Sequence, residues 1–243
     1  MRDRAIVRTL AAGVVTTLVL AGPQPAFAGT TLKPYVAAVE PTPVPAQQFD
    51  FVTNQPYWAA VGIKPPAGAD DDLVVSDSAG TLLAGSSRAG NEVDAVAVNS
   101  NIRPLGAYHA QVSRFAGTGD YVVELAHGAD VLLATLPPKT QTVALHGGFL
   151  AVRDLRMYEG DVYQISVSAP TPGVAAYVLA GDAAVSNLAA APASCRSTGA
   201  GASCVLTYSP DHDGWYGVML VSLGSTDLTV TASQASPSPP PPS

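Results

Sequence analysis

Three aspartates hold the clearest chemical signal in this chain: Asp70 and Asp72, which precede the apolar run 73–75, and Asp77, which closes it. Clustered carboxylates with nearby backbone carbonyls suit a hard cation, so Ca²⁺ at Asp70, Asp72 and Asp77 is the one cofactor the residues suggest. The competing reading is a solvated acidic turn, since Pro65-Pro66-Ala67-Gly68 leads into the cluster and neither an EF-hand spacing nor a Gly-Asp nonapeptide is present. A second signal is aromatic. Tyr57-Trp58 and Trp215-Tyr216 stand at the starts of strand-like runs, where an exposed ring would stack on a sugar face. Neighbours on a strand point to opposite faces, so core packing claims at least one ring of each pair; Trp58 and Trp215 are the ligand-binding candidates.

Hydrolytic chemistry finds little support. Gly85-Ser86-Ser87-Arg88-Ala89-Gly90 fails the Gly-x-Ser-x-Gly elbow, and no His-Glu-x-x-His segment occurs. Of His109, His127, His146 and His212, the first lies on the polar parity of a strand and reads as an exposed strand residue. The expectation is that the protein is not an enzyme; a small extracellular hydrolase would need histidines and carboxylates converging in a concave pocket. Cys195 and Cys204 flank a small, flexible segment and read as one local disulfide, since zinc spacing and a neighbouring His are both missing. Such a ring stabilises by roughly 2–3 kcal/mol in the chain-entropy model.

The elements that would carry these residues are short strands. Apolar or alternating runs at 49–52, 57–63, 73–75, 81–84, 93–98, 108–113 and 121–125 are separated by Gly, Pro, Asn and Asp turns. A second series follows at 142–145, 150–155, 162–167, 175–179, 205–208, 215–222 and 228–232, with the Ala-rich segment 183–193 read as a loop. The two series are related. Gly106-Ala107-Tyr108 answers to Gly214-Trp215-Tyr216, Pro65 to Pro170, Asp77 to Asp182, and Val123 to Val230. An offset near 105–108 positions is far longer than a solenoid period and about the size of a small domain. The predicted fold is all-β: two tandem antiparallel β-sandwich (jelly-roll-like) domains, over 49–128 and 129–235.

Residues 1–28 have a basic start, an apolar run of about 13 residues and Ala26-Phe27-Ala28, the order of a secretory signal peptide cleaved between Ala28 and Gly29. Residues 29–48 read as an extended Pro-rich leader with one edge strand at 35–39, and 236–243 as a Pro-rich tail outside the fold. The chain has 12 Lys+Arg and 19 Asp+Glu; removing Arg2, Arg4, Arg8 and Asp3 leaves 9 against 18, a net charge of −9. That charge repels nucleic acid and anionic membranes, and no span is expected in the mature form. The expected location is extracellular. The partners to test are cell-wall or extracellular polysaccharide and another secreted protein.

The stretch from Asp70 to Ser87 resembles the bacterial pre-peptidase C-terminal domain, with an acidic lead-in, an apolar strand, Asp77, the turn at Gly80 and the Leu82-Leu83-Ala84 strand. Residues 106–112 and 120–125 complete the likeness, which covers most of 49–127; the second series looks like a diverged relative without the acidic lead-in. Asp71 departs from the pattern, standing where the family places an inward apolar residue, so the strand is expected to begin later. The resemblance implies a small β-sandwich with an accessory role in secretion, folding or attachment, usually beside a catalytic domain.

Overall fold

A computed structural model describes residues 46–145, 147–224 and 226–235, together with the backbone of 35–39. The signal peptide with its Ala28–Gly29 cleavage point, most of the leader, His146 and the Pro-rich tail lie outside the described residues. The first series forms β1 (Tyr35–Val39), β2 (Gln47–Thr53), β3 (Trp58–Lys64), β4 (Asp70–Asp77), β5 (Leu82–Ser86), β6 (Asp94–Asn99), β7 (Gly106–Ala116) and β8 (Gly119–His127). The second forms β9 (Lys139–Val143), β10 (Leu150–Met157), β11 (Val162–Ser168), β12 (Val174–Leu179), β13 (Val185–Asn187), β14 (Ala193–Ser197), β15 (Ser203–Tyr208), β16 (Gly214–Ser222) and β17 (Leu228–Ala235). Among the described residues no helix is long and apolar enough to cross a membrane.

These strands make four antiparallel sheets stacked as four layers. Sheet 1 has the order β2-β7-β4-β5 and sheet 2 the order β1-β8-β3-β6-β13; sheet 3 runs β10-β16-β12-β14 and sheet 4 runs β15-β11-β17-β9. Numbered by position within each series and leaving out β13, sheets 2 and 4 both read 1-8-3-6, and sheets 1 and 3 both read 2-7-4-5. That is the eight-stranded, two-sheet order of a jelly roll, present twice. Period-2 alternation builds each sandwich. Leu73, Val75, Tyr108, Ala110 and Val112 of sheet 1 meet Val61, Ile63, Val96 and Val123 of sheet 2, while Tyr216, Val218 and Leu220 of sheet 3 meet Ile165, Val167 and Val230 of sheet 4. Each series also anchors the seventh strand with a tyrosine bonded to a carbonyl four residues upstream: Tyr108 Oη donates to Pro104 O at 2.6 Å, and Tyr216 Oη to His212 O at 3.1 Å.

A third core joins the sandwiches. Sheet 2 presents small residues, Ala60, Ala95, Ala97 and Ala126, to the larger Phe149, Leu150, Tyr177 and Met219 of the second series. Strands β3, β6, β10 and β12 are therefore buried on both faces, which explains the near-continuous apolar sequence of β3, β6 and β12, while β10 also buries Arg153 and Asp154. Residues 183–193 are not simply a loop: β13 pairs with β6 and extends the sheet of the first series, with Asn187 donating to Gly85 O at 2.7 Å. Strand β4 begins at Asp70, not after Asp71, because Asp71 turns inward onto a buried arginine.

Candidate functional site

Alternation along β4 sends Asp70 and Asp72 to the outer face and Asp71 to the core. Asp77 stands five residues beyond Asp72, about 17 Å at strand rise. There its Oδ1 accepts from the N–H groups of Ala79 (3.0 Å) and Thr81 (2.9 Å), closing the β4–β5 turn. The three carboxylates are thus not one ligand set, and among the described residues no group of three or more His, Cys, Asp or Glu is placed to hold a metal. Burial, then the charges of Asp70 and Asp71, raise the pKa of Asp72.

Asp71 is the acidic residue with a structural partner. It forms a two-pronged pair with Arg114 of β7, Nε to Oδ1 at 2.7 Å and Nη2 to Oδ2 at 2.8 Å, while Arg114 Nη1 donates to Gly119 O at 2.8 Å. Both side chains are fully buried, and this pairing satisfies what would otherwise be an expensive internal charge. Parity held the signal: Asp71 shares its face with Leu73 and Val75, and Arg114 shares its face with Tyr108, Ala110 and Val112.

The tryptophans separate sharply. Trp58 is fully buried between the sandwiches, and Tyr57 beside it is buried too, its Oη donating to Asn54 Oδ1 at 2.8 Å. Trp58 is therefore no sugar platform, because sheet 2 is covered on both faces. Trp215 remains 39% exposed, opposite Arg156 in the β10–β16 register, and the Arg156 guanidinium lies 5.4 Å from the ring centre of the exposed Tyr158. Trp215, Arg156 and Tyr158 form a surface strip that spacing alone would not group.

The histidines take separate places. On the outer face of sheet 1, His109 Nδ1 lies 2.6 Å from Asp50 Oδ1 and 3.1 Å from Gln48 Nε2. The His109 bond, then that from Gln48, holds the Asp50 carboxyl below its ordinary range. Register places Asp50, His109 and Ser76 in one row across β2, β7 and β4, the order of a hydrolytic triad. The interior of a sheet commits its backbone N–H groups to the ladder, so among the described residues this row has no free pair of backbone donors beside it to form an oxyanion hole. His127 is half-buried and edge-on to Tyr57, and desolvation of its ring lowers its pKa; His212 sits on the loop before β16, with Nδ1 2.7 Å from Asp211 Oδ1.

Cys195 on β14 and Cys204 on β15 form the disulfide, Cα atoms 5.6 Å apart, tying sheet 3 to sheet 4. Two buried carboxylates tie the sandwiches together. Glu124 of β8 accepts from the N–H groups of Phe149 (2.5 Å) and Leu150 (2.9 Å), and Asp154 of β10 from that of Trp58 (3.1 Å). Burial pushes both up to about 7, outweighing the bonds that favour the anions. Two glycines admit the close approach: a Cβ on Gly148 would lie 2.0 Å from Glu124 Oε1, and one on Gly217 2.9 Å from the Trp58 ring.

The chain is an antiparallel β-sandwich protein with two jelly rolls. No family model matches it, and no curated protein matches it. Distantly similar solved structures include a conserved protein of unknown function from Pseudomonas aeruginosa PAO1, at 12% identity over 79% of each chain with a TM-score of 0.22. The CBM22-1-CBM22-2 tandem domain from Paenibacillus barcinonensis Xyn10C aligns at 10% identity over 86% of this chain and 93% of that one, TM-score 0.25. HutD from Pseudomonas fluorescens SBW25 aligns at 9% identity over 86% and 95%, TM-score 0.23.

Proposed function

We propose that this is an exported, non-catalytic binding protein whose ligand surface is the outer face of sheet 4, and that the ligand is a neutral polysaccharide of the wall or extracellular matrix. The observation that carries this reading is the composition of that face. Thr140 and Thr142 stand opposite Thr231 and Thr229, which stand opposite Ser166 and Ser168; Val205 and Ser203 complete the two rows. Gln164, Ser233 and Thr207 form a third row, and none of these outward residues is charged. Surfaces of soluble domains usually carry roughly a quarter to a third charged residues. Hydroxyls donate and accept alike, so a flat array of them matches an uncharged partner that repeats hydroxyls along its length.

Export is supported by the basic-apolar-small order of residues 1–28 and by the Cys195–Cys204 disulfide, which belongs to an oxidising compartment. A second reading, an accessory protein of the pre-peptidase type, rests on the motif at Asp70 to Ser87 and needs no ligand on sheet 4. Sedimentation of the mature protein with cellulose, chitin and purified cell walls, with and without calcium, separates them. Retention should weaken by roughly tenfold in the double variant Ser166→Glu, Thr231→Glu. If the wild type stays in the supernatant with every polymer, the accessory reading stands alone.

A further inference from the structure

A strip of exposed side chains lies at one end of the second jelly roll. Trp215 stands opposite Arg156 in the β10–β16 register, and the Arg156 guanidinium lies 5.4 Å from the centre of the exposed Tyr158 ring. Val131, bridged to Asp154, and Leu133 continue the strip past β10. Leu132 between them is buried in the sandwich core, so its two exposed neighbours point the other way. Trp215 and Arg156 share the face of Gly217 and Asp154, which meet Trp58 of sheet 2, but stand two residues nearer the strand ends. An exposed apolar strip built of Trp, Tyr and Arg has the composition of a recognition surface.

The chain itself supplies a segment of matching chemistry beside this strip. Strand β17 ends at Ala235, paired with Val162, and Gln234 before it is paired with Tyr163. Tyr163 Oη accepts from Tyr158 N at 3.0 Å, and Gln234 Nε2 donates to Asp161 Oδ2 at 2.5 Å, so β17 finishes against the turn that carries Tyr158. Taking sheets 3 and 4 from the edge where the disulfide joins β14 to β15, β16 lies over β17. Ala235 is therefore within roughly one to two sheet spacings of the strip, about 10–20 Å. Beyond Ala235 the sequence reads Ser236-Pro237-Ser238-Pro239-Pro240-Pro241-Pro242-Ser243. In polyproline II geometry that length reaches about 25 Å, enough to cross the strip.

Polyproline II has no internal hydrogen bonds: its pyrrolidine rings stack on aromatic faces and its carbonyls are open to donors. Trp215 and Tyr158 supply the faces, while the indole N–H and the Arg156 guanidinium supply the donors. The segment carries no charged side chain, so Glu159 and Asp213, joined at this end by a hydrogen bond from Glu159 N, do not repel it. Tethering gives it an effective concentration on the order of millimolar, so a contact too weak to hold a free peptide holds within one chain. We propose that the Trp215–Arg156–Tyr158 strip is the docking site of this chain's own residues 236–243, bound intramolecularly as a polyproline II segment. Docked there, the segment covers an apolar strip that the protein would otherwise expose. The strip shares no residue with the outer face of sheet 4, so failure of this proposal leaves the polysaccharide reading untouched, and the converse holds too.

The chain has two tryptophans and Trp58 is fully buried, so acrylamide quenching of the mature protein's emission reads Trp215, with Trp215→Phe giving the Trp58 background. The four changes Pro239→Gly, Pro240→Gly, Pro241→Gly and Pro242→Gly, made together in the full chain, remove the stiff geometry and keep the length. They should raise the quenching constant by roughly twofold or more. The same four changes in an Arg156→Gln or Tyr158→Ala background should raise it far less, because the site is already damaged. A urea midpoint for each variant confirms that it is folded, and the Arg156→Gln arm suffices should Tyr158→Ala not be. An unchanged quenching constant in the glycine variant overturns the proposal, as does an equal rise in all three backgrounds. Wild-type protection that disappears on dilution would assign the strip to the same segment of a second copy. Protection that appears only with added cellulose or chitin would assign it to sugar, and either result overturns intramolecular docking.

Discussion

Sheets 2 and 4 share one strand order, yet one is an interior layer and the other faces solvent. On the eighth strand of each series the inward residues agree: Val123 and Val230 both lie in a sandwich core. The outward residues do not. Val122, Glu124 and Ala126 of β8 answer to Thr229, Thr231 and Ser233 of β17 at the same offset. Sheets 1 and 3 repeat the contrast on the seventh strand, where exposed or half-exposed His109, Gln111 and Ser113 answer to buried Gly217, Met219 and Val221. The two jelly rolls therefore stack head to tail, the 1-8-3-6 sheet of the first against the 2-7-4-5 sheet of the second. Such a contact would propagate to further copies if both outer faces were apolar. Among the described residues they are mainly polar, unlike the two faces that meet within the chain. The lesson is that inward parity preserves the fold while outward parity decides what each sheet meets.

The largest effect should come from emptying the shared core. Trp58→Ala is expected to destabilise by about 3–5 kcal/mol, read as a fall in the urea midpoint; a loss under about 1 kcal/mol would mean the sandwiches do not depend on each other.

Acidity should act next, and in an unusual direction. The folded-state values of Glu124 and Asp154 are raised to about 7 from 4.5 and 3.8. Each protonated carboxyl therefore contributes stability that is complete below its unfolded value and is lost as pH rises through about 7. Each loss is on the order of 3 kcal/mol. The urea midpoint should accordingly fall between pH 5 and pH 8, with Lys64 opposing the change at Glu124. Glu124→Gln and Asp154→Asn should each flatten that slope, and a midpoint constant across this range in the wild type would contradict the account.

The smallest effect belongs to sheet 4. Thr231→Lys should change stability by no more than about 0.5 kcal/mol, against the severe cost expected of a charge at the matching Glu124 position if it lost both amide partners. A large loss from Thr231→Lys would show that the outer face is covered in the native protein.

Much of this was legible from the chain. Strand positions 57–63, 162–167 and 215–222 needed only local alternation and turn residues, and the pairing of Gly106 with Gly214 located the seventh strand of both jelly rolls. The Cys195–Cys204 bridge followed from spacing, although Cys195 proves to lie on a strand. The Ala-rich stretch misled because β13 is only three residues long and pairs with a strand about ninety positions earlier, which no local period records. Asp71 misled because its partner Arg114 lies 43 residues away.

What the sequence determined by itself was the all-β class, the duplication and the inward face of each strand, because period-2 patterning and turn chemistry are properties of neighbouring residues. Which outward faces meet was decided only in three dimensions. A strand apolar on both sides announces that something covers it without naming the cover, and so Trp58, read as a candidate platform for sugar, proves to be buried in the contact between two sandwiches.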